Sequence, residues 1–172
     1  MILTIHTSDE LNAHLATLDD ATAKAMTVLR AAVTPREVLR RMKFEPIGFH
    51  PISHQPLNLI EQINQTFTFM VALKATEWLL HRHPDAGGFH LAPGASFAQP
   101  LDIMSVEPGL VGAESFAAVS PNNNGKLVKD LKKLAGAAET YRYAFFYAPN
   151  FPFGRVTHLE KITGVEVHCV EI

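Results

Sequence analysis

Between Pro100 and Lys133 the chain reads PLDIMSVEPGLVGAESFAAVSPNNNGKLVKDLKK. Two apolar runs, 101–106 and 110–119, flank the turn sequence Glu107-Pro108-Gly109, and a polar loop at 120–125 leads into a helix that opens at Lys126. The segment places two acids inside strands. Residues two apart share a face of a strand. If Val106 pairs with Leu110, the three-residue loop sets Asp102 directly opposite Glu114, with Cβ atoms ~4.5–5.5 Å apart. Pro108-Gly109 also suits the centre of a type II turn, and a one-residue slip would turn Glu114 to the other face. No lysine or arginine occurs between Arg82 and Lys126, so neither acid has a local cation. A carboxylate partly buried without a partner is costly unless a metal, a distant base or a shared proton compensates it.

The elements around this segment follow from periodicity. Residues 2–6 suggest a short strand. Thr7 and Glu10 have capping-box spacing before Leu11, Leu15 and Leu18, and Asp19-Asp20 predict a break before a second helix near 21–32. Thr34-Pro35-Arg36-Glu37 combines an N-cap threonine, a first-turn proline and a capping-box glutamate. The helix it opens carries Val38 and Met42 on one side and Arg36, Arg40 and Lys43 on another. Three prolines exclude a regular helix from FEPIGFHPISHQP, so the four-residue spacing of His50 and His54 is not read as a metal site. His81 and His83 at a helix end are read as favourable charge near a C-terminus.

Leu57–Leu80 predicts the longest helix, with an apolar face broad enough to be covered by other elements. Glu61 is its only charge before Lys74. It is either a helix-start carboxylate favoured by the macrodipole or a functional acid. Short strands are expected at Phe89–Leu91 and across 94–98. After the hairpin, the helix from Lys126 turns Leu127, Val128, Leu131, Leu134, Ala135 and Ala138 inward and lines its other side with Lys126, Lys129 and Lys133. Gly125-Lys126 lacks the glycine spacing and the hydroxyl of a phosphate loop. Tyr141–Ala148 reads as a strand apolar on both faces. A short helix at Arg155–Ile162 and a terminal strand at Val165–Ile172 close the chain.

The 172 residues are enough for one domain with a sizeable core; 47% are hydrophobic and 19% charged, as in an ordered globular protein. A lone cysteine, Cys169, excludes an internal disulfide and fits a reducing compartment. With no signal-like start and no apolar window of ~18–20 residues, the expectation is a cytoplasmic protein without a membrane span. The net charge of −2 argues against coating nucleic acid by bulk electrostatics, but the bases are clustered. Five lie between Val28 and Lys43 against Glu37 alone, and seven between Lys126 and Lys161 against three acids. Such segments form either a phosphate-facing rim or two solvated helix faces.

From Leu57 to Ala148 the predicted order is helix, strand, strand, strand, helix, strand. Glu61 falls on the first helix, Asp102 in the second strand, and Glu114 two residues before Phe116 in the next. This order resembles the core of the PD-(D/E)xK nuclease superfamily, the restriction-endonuclease-like fold. The resemblance implies a single α/β (α+β) domain over 1–172: a helical extension at 1–56, an αβββαβ core at 57–148, and a C-terminal helix and strand at 149–172. It further implies that Asp102 and Glu114 bind Mg²⁺ (Mn²⁺ as substitute) with support from Glu61, and that a lysine orients the attacking water. Here Phe116 stands in the lysine position, and phenylalanine can neither orient water nor stabilise developing charge.

Three expectations follow. A lysine of the next helix, Lys126 first and Lys129 second, completes a Mg²⁺-dependent phosphodiesterase acting on DNA or RNA. Alternatively, the fold binds nucleic acid or a protein partner without catalysis, with Lys129 and Lys133 meeting phosphates. In the third, Asp102 caps the hairpin and Glu114 pairs with a lysine of the next helix, with no metal. A terminal strand at a sheet edge would allow a homodimer.

Overall fold

The computed structural model describes residues 2–30, 34–93 and 98–172. Nine strands and four helices run in the order β1 (Leu3–Ile5), α1 (Ser8–Arg30), α2 (Pro35–Phe44), β2 (Gly48–Phe49), β3 (Pro56–Leu57), α3 (Leu59–Arg82), β4 (Phe89–Leu91), β5 (Ile103–Ser105), β6 (Val111–Ala117), α4 (Lys126–Ala135), β7 (Tyr141–Tyr147), β8 (Gly154–Arg155) and β9 (Val165–Cys169). Seven strands form one mixed sheet in the order β1-β4-β5-β6-β7-β9-β8, while β2 and β3 pair separately. The pairs from β1 to β6 are antiparallel, β6-β7 and β7-β9 are parallel, and β8 returns antiparallel on β9. Helix α4 is the crossover between the parallel strands β6 and β7, as such a connection requires.

Each sheet face has its own core. On one face α3 lies between the strands and α1: Val71, Ala72, Leu73, Ala75 and Leu79 pack with Leu11, Leu18, Val111, Ala113, Tyr143 and Phe145. Consecutive buried residues such as 71–73 show that α3 is covered nearly all round, and the small side chains of Ala72, Ala75 and Thr76 let its neighbours approach closely. Trp78 meets Tyr143 and Phe145 edge-on, with ring centroids 5.4 and 5.7 Å away. On the other face Leu127, Leu131 and Leu134 of α4 pack with Phe116, Ala144, Phe146, Val165 and Val167. Arg142 on β7 donates to the Leu134 and Ala135 carbonyls, placing its charge at the negative end of α4.

Several expected boundaries move. Asp19 and Asp20 do not interrupt the first helix; α1 is continuous, and Asp20 pairs with Lys24 one turn on at 2.6 Å. The capping box of α2 forms, with the Glu37 amide donating to Thr34 Oγ1 at 3.2 Å. The expected strand across 94–98 lies outside the described residues but for its last position. Arg155–Ile162 is not a helix: Arg155 ends β8 and only a 3-10 turn, Thr157–Leu159, follows. The C-terminal strand is not an edge. Strand β9 lies between β7 and β8, which removes the basis offered for pairing across a dimer.

Gly88 joins the long helix to the sheet and ties the first strand in place. Its φ of +111° suits glycine, and a Cβ there would lie 2.8 Å from the Ile5 carbonyl oxygen and 2.6 Å from His6 Nδ1. The nearby carbonyl is backbone of β1 and cannot swing aside. Gly88→Ala is expected to lower unfolding free energy by at least ~1–3 kcal/mol, read from the urea midpoint at unchanged m-value.

Candidate functional site

The β5-β6 hairpin fixes the geometry of the acids. Ile103 pairs with Ala113 and Met104 with Gly112, and one further step along this register sets Asp102 opposite Glu114. The strands part there, and side chains take over the ladder. The Asp102 amide donates to Glu114 Oε1 at 3.3 Å, and the Ser115 amide donates to Asp102 Oδ2 at 3.0 Å, with the Ser115 hydroxyl also directed at Oδ2 at 3.4 Å. Gln99 secures the approach by donating to the carbonyls of His90, Leu101 and Asp102. Asp102 and Glu114 retain only 6% and 2% of their exposure, so water cannot carry their charge.

The compensating cation comes from α4. Lys133 Nζ lies 2.6 Å from Glu114 Oε1, and its side chain is half exposed. Lys126, the lysine expected to complete a catalytic set, is engaged elsewhere. It lies 2.5 Å from Asp130 Oδ1, one turn along α4, and 5.8 Å from the centre of the Phe116 ring. Asp130 is 3% exposed, and its Oδ2 has no hydrogen-bond partner among the described residues. It had a signal in the sequence that was not used. Lying three residues after Leu127 and four before Leu134, it falls on the apolar stripe of α4.

Burial, then the nearby Glu114 charge, push the Asp102 carboxyl up to about 7, against weaker lowering by the Ser115 amide and by Lys126 and Lys133. Burial likewise raises Asp130 to about 6, although its hydrogen bond from Lys126 pulls the other way. Asp102 thus holds its proton well above the usual carboxylate range, chiefly because it is buried.

Glu61 does not join this group. It is exposed in the first turn of α3, its amide capped by Asn58 Oδ1 at 2.9 Å, and α3 covers the opposite face of the sheet from α4. That is the position of a carboxylate favoured by the helix macrodipole. Among the described residues, no three histidine, cysteine, aspartate or glutamate side chains converge as a metal-holding group. Asp102 and Glu114 alone offer hard oxygens, and Mg²⁺ can be held by as few as one or two carboxylates. Here, however, Glu114 Oε1 already receives an ammonium and an amide, and Asp102 Oδ2 receives an amide and a hydroxyl. A cation approaching Glu114 Oε1 would compete there with the Lys133 ammonium.

Beyond the acids, the same strand leads into a cleft of about 620 Å³ at the carboxyl ends of β6 and β7. Phe116, two residues past Glu114, reaches its floor and stacks on Phe146 at 5.9 Å. Lys126 and Lys129 are the charged residues on its wall. Neither the cleft nor its α3 wall, at Ile63 and Phe67, was legible from spacing, because it forms between elements distant in sequence. No family model, curated protein or solved structure matches the chain.

The raised carboxyls make stability depend on pH with a defined sign. Asp102 releases its proton near 3.8 when unfolded but near 7 when folded, so between these values the native state binds more protons. Stability from this group is therefore present at low pH and lost as pH rises through about 7. Asp130 acts in the same direction. Asp102→Asn copies the neutral form, and should remove on the order of 2–4 kcal/mol from the fall in unfolding free energy between pH ~4 and ~8. Urea titrations of both proteins across that range give the comparison; parallel curves would show that Asp102 is ionised throughout.

Proposed function

We propose that this protein has a nuclease-like core adapted to bind nucleic acid without cutting it, and that the Asp102–Glu114 pair is an internal ion cluster, not a metal centre. The observation that carries this reading is the 2.6 Å contact between Lys133 and Glu114, which supplies the buried carboxylate with a counter-charge from within the protein. The order α3, β4, β5, β6, α4, β7 supports the restriction-endonuclease-like comparison for the core, and Phe116 in place of a lysine supports loss of catalysis. The binding surface is the exposed side of α4. Lys129 has no carboxylate partner among the described residues and is free to meet phosphate, while Lys133 contributes only the part of its charge that Glu114 leaves uncancelled.

One observation favours a second reading. Lys133 delivers to Glu114 an ammonium of the kind that Phe116 withholds, as a relocated catalytic lysine would. On that reading, Asp102 and Glu114 take up Mg²⁺ together with substrate, and the protein is a phosphodiesterase.

Incubation of the purified protein with single- and double-stranded DNA and RNA, in Mg²⁺ and in Mn²⁺, separates the two. The expected result is no cleavage, together with binding that is insensitive to chelator and weakens as salt rises. Lys129→Ala should reduce the slope of log affinity against log salt by about 1. Metal-dependent cleavage that disappears in Glu114→Gln would establish the phosphodiesterase instead.

A further inference from the structure

The cleft beyond Phe116 has a chemical character of its own. Its walls are apolar where they are most open: Phe67 on α3 is 40% exposed, Ile63 on the preceding turn of that helix is also 40% exposed, and Val119 after β6 is 80% exposed. Its uncharged polar side chains are Asn64, Thr68, Asn123 and Asn124, and the Asn64 and Asn123 amides have no hydrogen-bond partners among the described residues. Its charged groups are Lys126 and Lys129, with no acid beside them on the wall. Lys126 is committed to Asp130, which leaves Lys129 as the available charge. The location is one that topology favours, since in open sheets ligands settle outside the carboxyl ends of parallel strands, and Ala117 and Tyr147 close β6 and β7 at the cleft.

A flat apolar group with hydrogen-bonding edges and a nearby negative charge matches all three features. An unpaired nucleobase presents apolar faces to aromatic and aliphatic side chains, its edges to amides, and its phosphate to an ammonium. A base inside a duplex presents none of its faces. An apolar peptide would leave the free amides and Lys129 unanswered. The volume lies within the ~300–1,000 Å³ range of small-molecule sites.

We propose that this cleft seats an unpaired base of a single-stranded nucleic acid between Phe67 and the Phe116 floor, with the adjoining phosphate on Lys129. The protein therefore prefers single strands to duplex. The inference deepens the binding role proposed above and rests on it.

The test is fluorescence anisotropy on the full chain with a short labelled single strand, the same sequence as duplex, and a strand of equal length lacking bases, each as DNA and as RNA. The single strand, in at least one sugar form, is expected to bind on the order of tenfold more tightly than the duplex or the baseless strand. Phe67→Ala should remove that advantage and leave duplex affinity unchanged. Ile63→Ala, also at a partly exposed position, should narrow the advantage in the same direction. Equal affinities for single strand, duplex and baseless strand, or an advantage that survives both substitutions, would overturn the cleft proposal and leave nucleic-acid binding intact. Failure of every strand to bind would overturn both.

Discussion

Strand β6 lies between β5 and β7 and is buried from Val111 to Phe116, so a charge in its middle has little access to bulk water. Glu114 sits in the middle of that strand and must find its counter-charge inside the protein. Among the described residues its side-chain hydrogen bonds come from the Asp102 amide, just before the neighbouring strand, and from Lys133 of the crossover helix. Such a pair adds little net stability, because desolvating the carboxylate offsets much of the attraction. Its effect is on specificity. Turning α4 by one residue would carry Lys133 away from Glu114 and leave a buried charge unanswered, a cost of about 3–5 kcal/mol when one partner of a buried pair is removed. The leucines at 127, 131 and 134 and the ion pair therefore select the same helix phase.

That phase has consequences for the remaining charges. With Lys133 turned inward, Asp130 is buried under α4, and Lys126 reaches forward one turn to meet it. Lys129 then lies on the exposed side with no acid. The lysine row that looks uniform in the sequence divides into two residues engaged with internal acids and one available to a ligand.

The parts of this arrangement that could be read beforehand are local ones. The sequence left two hairpin registers open, and the structure takes the one expected of a three-residue turn, with Ile103 on Ala113 and Met104 on Gly112 and so Asp102 next in line opposite Glu114. The α2 capping box and the strand at Tyr141–Tyr147, apolar on both faces, also formed where composition placed them. The failures share a physical cause. Asp19-Asp20 suggested a break because aspartate is a poor helix former, but Lys24 and the buried Leu18 and Ala21 outweigh that preference. Val128, expected on the core side of α4, is 49% exposed because the helix presents a narrow stripe to the sheet. Arg155 has helical neighbours in sequence, yet its guanidinium is held by Glu160 and Glu166, and its backbone pairs with His168. Whether Glu61 faced the acids depended on which side of the sheet α3 took, and no local pattern encodes that. The cleft was invisible for the same reason.

The acid cluster and the cleft lie on one strand and bear on each other electrostatically. While Asp102 keeps its proton, the carboxylates of Glu114 and Asp130 are matched by the ammonium groups of Lys133 and Lys126, and the cluster presents no net charge to a phosphate. Were Asp102 ionised, the excess negative charge would sit beneath the helix that carries Lys129, in surroundings where solvent screens it weakly. A divalent cation on Glu114 Oε1 would compete with Lys133 for the contact that sets the phase of α4. The protein already has an internal solution to its buried charge, and that solution leaves Lys129, on the wall of the cleft, as the uncommitted lysine of this row.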